Sequence, residues 1–197
     1  PPLTSFDDFV GRLERTGRPS VLVADVTKGA CDPVYRYLDV VRPIASDFKL
    51  YVLGALADAI SRGDLAWDDT IVIDDRLKSL PSGTFQTRPE GSEATVLEFA
   101  QAMIAVSDNT ATDHLIDRLT RANVEAALAD YHMAEAALNM PFLTTREFFS
   151  LKLAVSADVA DAYVAGDEAQ RRALLSEEVA GSPATLSDAG VWVTPRR

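Results

Sequence analysis

Two serines, a lysine and an asparagine are the strongest candidates for catalytic residues in this chain. Ser46 and Lys49 form an S-x-x-K pattern at the start of a strongly apolar stretch. Residues three apart on a helix lie on one face, one turn apart. Ser46 would then lie in the first turn, where free backbone N–H groups and the helix dipole favour negative charge. Because burial lowers the pKa of an amine, Lys49 could act as the base for the Ser46 hydroxyl.

The same pattern also fits a helix cap followed by a lysine that extends its head to water. The apolar surroundings of Lys49 favour the catalytic interpretation, since burying a lysine without a role is costly. A second motif, Ser107-Asp108-Asn109, follows Ser46 by 61 residues. Taken alone it is an ordinary helix-start signal. Both motifs, however, open predicted helices directly after apolar segments.

Most of the secondary structure predicted around these residues is helical. The most apolar helix is predicted over 46–61, and apolar residues on all its sides predict that it is buried. Residues 95–98 read as a capping box at the start of the next helix. The predicted helices are 5–16, 46–61, 95–106, 109–119, 121–130, 145–155 and one or two surface helices within 157–180; the predicted strands are 20–26 (buried), 34–41 (pairing back on it) and 70–73.

Charge and composition exclude several classes of function. The 197 residues carry a formal net charge of −11, so the chain repels phosphate and nucleic acid is not an expected partner. One cysteine, Cys31, cannot form an internal disulfide or a cysteine-based zinc site. No apolar run reaches the ~18 residues that span a bilayer. The first residues have no basic start or apolar signal core, which fits a cytoplasmic protein or a trimmed form.

Three segments together resemble class A β-lactamases and their penicillin-binding relatives. Residues 44–51 read I-A-S-D-F-K-L-Y, residues 103–113 read M-I-A-V-S-D-N-T-A-T-D, and residues 143–149 read L-T-T-R-E-F-F. The resemblance covers roughly residues 20–155. The sequence resembles the divergent β-lactamase-like hydrolases of actinobacterial type more closely, since these share the L-T-T-R-E segment. It implies an α/β (α+β) fold of the β-lactamase/transpeptidase type, with a helical domain and an antiparallel sheet.

The resemblance also implies roles for individual residues. Ser46 would be the acylated nucleophile, and its backbone N–H would form one half of the oxyanion hole. Lys49 would be its base or proton relay. Ser107 would pass the proton to the leaving nitrogen. Asn109 would bind the substrate amide and Lys49.

This sequence departs from the family pattern after Ser107, where no Lys-Thr-Gly or Lys-Ser-Gly motif follows. In the family that motif lies on an inner strand of the sheet. We therefore expect residues 1–197 to be a single β-lactamase-like domain that lacks its C-terminal strands. A further segment or a second chain would complete the sheet and bring the other oxyanion donor.

Three other side chains have candidate roles with open alternatives. Residues 135–139 match the E-x-x-L-N pattern with which class A enzymes activate the deacylating water, so Glu135 is a candidate deacylation base. The segment is only 28 residues after Ser107, however, and an ordinary surface glutamate fits as well. Phe85 could form an aromatic wall of the substrate cleft or pack on its own loop. His114 is interpreted as a solvated helix histidine.

The sequence thus predicts a serine hydrolase that acts through an acyl-enzyme on a β-lactam or a related amide or ester. No metal or organic cofactor is implied, and the expected partner is a small-molecule substrate. Three alternatives remain open: a D,D-peptidase, an esterase of the same fold, and a non-catalytic acylatable sensor or inert fragment.

Overall fold

The computed structural model describes residues 2–27 and 33–184. Their contacts divide the chain into two units, Pro1–Ala45 and Ser46–Arg197. Cys31 and the Val-Trp-Val segment that begins at Val191 lie outside the described residues. The expectation of a single domain over residues 1–197 stays a prediction.

The first unit contains one helix and one strand pair. Helix α1 (Phe6–Glu14) is capped by the Ser5 side chain, and strand β1 (Val21–Val23) pairs antiparallel with β2 (Val34–Arg36). The predicted pairing is confirmed, but the strands are shorter than predicted. The prediction that 20–26 is a buried strand is wrong, since the side chains of β1 and β2 are half-buried or exposed. The pair is a two-stranded sheet, and two strands alone offer little apolar cover. Completion of the sheet by further strands stays a prediction.

The second unit is built around helix α2 (Lys49–Arg62), which follows a 3₁₀ turn over Ala45–Phe48. Gly63 ends α2 in the left-handed conformation, with its N–H donating to the carbonyls of the last turn. The prediction that α2 is buried on all sides is wrong. Val52 and Leu56 are fully buried on one face, whereas Leu50 remains 60% exposed on another.

Several of the remaining helices begin at side-chain caps, two of which, at Thr95 and Asp108, the sequence predicts. Thr95 and Glu98 form a reciprocal capping box, as do Thr144 and Glu147. The Asp108 side chain caps its helix by accepting from the Ala111 N–H. These helices are α3 (Val96–Ala105), α4 (Asn109–Leu119), α5 (Arg121–Asp130), α6 (Thr145–Leu153), α7 (Ala157–Ala165) and α8 (Glu168–Leu174), which continues as a π-helical turn (Leu175–Val179).

A short hairpin closes one side of the second unit. Strand β3 (Thr70–Val72) pairs antiparallel with β4 (Glu93–Thr95), with Ile71 opposite Ala94. The sequence predicted β3 but not β4, because residues 93–95 run directly into the capping box of α3. The predicted combination of a helical body with antiparallel strands is confirmed.

Two apolar clusters hold the second unit together. The larger cluster joins α2, α3, α4 and α5, and its most buried side chains include Phe99, Leu115 and Leu128. The smaller cluster includes Leu151, Leu175 and Val179. The prediction that residues 157–180 form purely surface helices is therefore wrong at their C-terminal end, where this cluster is buried. No helix within the described ranges is long and apolar enough to cross a membrane.

Candidate active site

A continuous hydrogen-bonded chain joins the predicted nucleophile to the predicted base. Lys49 is the first residue of α2 and is 2% exposed. Its Nζ donates to the Ser107 Oγ at 2.7 Å, to the Ser107 carbonyl at 2.7 Å and to the Asn109 Oδ1 at 2.8 Å. The Ser107 Oγ lies 2.9 Å from the Ser46 Oγ. The structure thus brings together Ser46, Lys49, Ser107 and Asn109.

Ser107 is the bridge in this chain. Among the hydrogen bonds of the described residues, none joins Ser46 directly to Lys49. A serine hydroxyl both donates and accepts, and its hydrogen rotates to suit. A proton can therefore pass from the exposed Ser46 to the buried Lys49 through Ser107.

Burial also lowers the proton affinity of Lys49, the predicted base. Removal of Lys49 from water lowers its pKa from the ordinary 10.5 to about 8, and the nearby carboxylates of Asp113 and Asp108 oppose that lowering. A base whose pKa lies near neutrality is partly free of its proton at the operating pH. Lys49 is thus suited to accept a proton from a serine.

The backbone at Ser107 and at the residue before Ser46 is held in an unusual conformation. Ser107 has a φ of +56° and Ala45, directly before Ser46, has a φ of +46°. A residue with a side chain in this left-handed region costs of order 1–3 kcal/mol, which the surroundings must offset. The Ser107 carbonyl accepts from both Lys49 and the Ser82 hydroxyl, the latter at 2.6 Å. No pattern in the sequence indicated this conformation, because it depends on partners distant along the chain.

Asp108 holds the loop that contains Gly83 against the start of α4. Its Oδ1 accepts from the Ala111 N–H at 2.8 Å, and its Oδ2 accepts from the N–H groups of Thr84 at 2.6 Å and Phe85 at 2.9 Å. Gly83 has a φ of +97°, and a Cβ added there would lie 2.0 Å from the Asp108 Oδ2. Only glycine therefore fits this close approach.

Replacing Gly83 with alanine is expected to lower the free energy of unfolding by at least ~2 kcal/mol, because the new methyl group collides with a buried carboxylate at a strained φ. Gly91→Ala is the matched control, since Gly91 has a φ of +77° with open space around it. We expect it to cost only about 1 kcal/mol. Urea denaturation measures both, and equal losses would contradict the role of the Gly83–Asp108 contact.

Phe85 lies in the core instead of on an open wall. Its side chain is 5% exposed, and its ring lies 4.8 Å from that of Phe99. The Arg88 guanidinium covers it at 4.0 Å from the ring centroid. This placement agrees with the alternative in which the Phe85 ring packs on its neighbours. The Phe85 N–H donates to the buried Asp108 carboxylate, which fixes the backbone there.

Asn109 uses both ends of its side-chain amide inside the protein. Its Oδ1 accepts from Lys49, and its Nδ2 donates to the Leu80 carbonyl at 3.0 Å. The residue is only 4% exposed. Asn109 thus orients Lys49 against the loop before Gly83, and its contact with a substrate amide stays a prediction.

Glu135 is exposed and precedes a short 3₁₀ turn, Ala136–Asn139. Its backbone carbonyl accepts from the Leu138 N–H at 3.0 Å and from the Asn139 Nδ2 at 3.3 Å. The E-x-x-L-N segment therefore folds back on itself. The role of Glu135 in deacylation stays a prediction.

Across residues 2–27 and 33–184, no three His, Cys, Asp or Glu side chains gather as a metal site.

The prediction that His114 is solvated is wrong, since its side chain is 1% exposed. The Nδ1 lies 2.7 Å from the Thr110 carbonyl, which can only accept, and the Nε2 lies 2.9 Å from the Asp74 N–H, which can only donate. These partners require the neutral tautomer with hydrogen on Nδ1. Burial accordingly lowers the pKa of His114. His114 is buried because α4 is covered by other elements on most of its circumference.

Acid is expected to weaken the His114 contribution to stability. Because the folded-state pKa is below the unfolded value of 6.5, this contribution is present above pH 6.5 and is lost as the pH falls through the lower folded value. We expect the stability difference between the protein and His114→Gln to shrink below about pH 6.5. Subtracting the two curves cancels the titration of other groups. Exposed His132→Gln is the control, and a difference that stays constant from pH 8 to 5 would refute the assignment.

The sequence matches the model of the beta-lactamase enzyme family over residues 6–180. No curated protein gives a significant match. Among solved structures, a mutant of PBP-A, in acyl-enzyme complex with penicillin G, is 27% identical over 66% of this chain and 52% of its own, with a TM-score of 0.52.

Two further structures have the same fold. An ancestral class A β-lactamase is 26% identical over 64% of this chain and 48% of its own, with a TM-score of 0.56. The β-lactamase from Sphaerobacter thermophilus DSM 20745 is 23% identical over 85% of this chain and 65% of its own, with a TM-score of 0.58. This chain therefore spans about half to two thirds of the length of these structures.

Proposed function

Because the chain belongs to the beta-lactamase enzyme family, we propose that it is a serine hydrolase that acts through an acyl-enzyme on a β-lactam or a related amide or ester. The observation that carries the proposal is the chain of hydrogen bonds from Ser46 through Ser107 to Lys49. The neighbouring structure of a PBP-A mutant, in acyl-enzyme complex with penicillin G, supports the choice of substrate class.

The first step of the proposed reaction is attack of the Ser46 Oγ on the acyl carbon. Its proton passes to the Ser107 Oγ as the Ser107 proton passes to neutral Lys49, so an ammonium forms as the new C–O bond forms. The negative charge on the carbonyl oxygen meets the backbone N–H of Ser46 at the mouth of the 3₁₀ turn. Because burial lowers the pKa of Lys49, a fraction of the molecules has this side chain neutral and able to accept the proton.

The second step is loss of the leaving nitrogen. The C–N bond breaks while Ser107 donates its proton to the nitrogen and takes one from the Lys49 ammonium. This returns Lys49 to its neutral form and leaves an ester on Ser46. Water then resolves the ester, with Glu135 as the candidate base for that step.

Intact mass spectrometry after addition of penicillin G tests the proposal. Addition without loss of atoms gives a penicilloyl adduct of the full mass of the antibiotic. Appearance of hydrolysed penicillin beyond one equivalent identifies a β-lactamase, and a persistent adduct identifies a D,D-peptidase or an acylatable sensor. Absence of both adduct and turnover would contradict action on a β-lactam and leave an esterase or an inert protein.

A further inference from the structure

Asp113 is a buried carboxylate that the reaction above does not use. It lies on α4, one turn after Asn109, and is 1% exposed. Its Oδ1 accepts from the Thr145 N–H at 2.7 Å and its Oδ2 accepts from the Arg146 N–H at 2.8 Å. The carboxylate therefore binds the free amides at the start of α6, where the helix dipole favours negative charge.

This contact is connected to the candidate active site through Thr145 and along α4. The Thr145 hydroxyl lies 3.3 Å from the Asn109 carbonyl, so Asp113 fixes a residue that contacts Asn109. Asn109 in turn accepts from the Lys49 Nζ. Since Asn109 and Asp113 are four residues apart on one helix, they share a face. The buried carboxylate thus lies on the helix face that binds Lys49.

Charged groups lie on each of the elements near Asp113. Lys49 is the first residue of α2, and Arg146 and Glu147 lie in the first turn of α6. Asp108 is the N-cap of α4, and Asp117 lies one turn after Asp113 on that helix. Burial raises the pKa of Asp113 to about 7, while its two amide hydrogen bonds and the Thr145 side chain oppose that rise. The group is therefore ionised through the pH range around 8 in which Lys49 titrates.

We propose that Asp113 is a positioning residue, whose buried charge stabilises the ammonium form of Lys49 while its hydrogen bonds hold α6 against the second motif. Charges in a low-dielectric interior interact far more strongly than in water. During acylation Lys49 gains a proton, so the carboxylate stabilises the charge that develops there. Only this kinetic consequence rests on the proposed function; the effect on Lys49 titration does not.

The direct test is the titration of Lys49 followed by NMR in protein labelled with ¹³C at lysine Cε. The chain has four lysines, and the signal absent from Lys49→Met identifies Lys49. In Asp113→Asn we expect its midpoint to move about one pH unit lower, a tenfold loss of proton affinity. Asp117→Asn is the matched control, since Asp117 is exposed one turn further along α4 and its loss should leave the midpoint in place.

Asn at position 113 points an N–H₂ group at one of the two helix amides and could unfold α6. Asp113→Ser removes the charge without adding that donor, and the same lower midpoint is expected. A Lys49 midpoint unchanged in the folded variants would overturn the proposal, as would an equal shift in Asp117→Asn. Penicillin acylation provides the kinetic readout: its pH profile should shift with the NMR midpoint. Failure of all variants and the parent protein to react would count against the proposed function, while the NMR result would still decide the role of Asp113.

Discussion

Ser46→Ala is expected to abolish the penicilloyl adduct completely. The alanine side chain has no oxygen, so no acyl bond can form at the exposed end of the hydrogen-bonded chain. The Ser107 hydroxyl does not substitute for it, because Lys49 and the left-handed backbone hold Ser107 behind Ser46. Intact mass spectra recorded over hours with penicillin G measure the result.

The control is Ser61→Ala, which removes another serine from the second unit, in the last turn of α2. Ser61 is exposed near the C-terminal end of that helix, far along the axis from Lys49. We expect this variant to acylate at the rate of the unmodified protein. An adduct that forms equally well in Ser46→Ala would eliminate the proposed nucleophile.

Lys49→Met is expected to slow adduct formation at least ~100-fold, the usual range for loss of a general base. Methionine keeps the length and apolar stem of lysine but cannot accept a proton from Ser107. In the unmodified protein the acylation rate should rise with pH and level off above about 8, because only neutral Lys49 is a base. Stopped-flow or quenched mass measurements from pH 6 to 10 report both effects.

Two results separate catalysis from folding in this experiment. The variant must keep its helical circular dichroism, and the rise in rate near pH 8 must disappear with the lysine. Lys152→Met, on the exposed side of α6, is the control for loss of a positive charge. A full rate with an unchanged pH profile in Lys49→Met would rule out lysine as the base.

Local signals in the sequence were sufficient to predict most helices. The capping box of Thr95 and Glu98 and the Asp108 cap fix where two of them begin, since these bonds join neighbours in sequence. The strand before α3 was missed because its three residues are too few for a pattern. The exposure of β1 and β2 could not be predicted, since it depends on which other elements cover them.

The candidate site was predictable in its residue types but not in its geometry. The apolar neighbours of Lys49 indicated its burial, and the S-D-N motif indicated its partner. The bridging position of Ser107 and the close approach of Gly83 to Asp108 depend on backbone conformations that tertiary contacts impose. The burial of His114 and Asp113 likewise follows from the central position of α4. The sequence did not indicate it, because polar residues usually lie at the surface.

Locating the acylated residue tests directly whether Ser46 is the nucleophile. After reaction with penicillin G, tryptic digestion should give a peptide from residue 37 to Lys49, because proline follows Arg42 and blocks cleavage there. Ser46 is the only serine in that peptide. We expect the entire penicilloyl mass on this peptide, with the fragment ions placing it at Ser46. An adduct found on any other peptide, with this one unmodified, would contradict it.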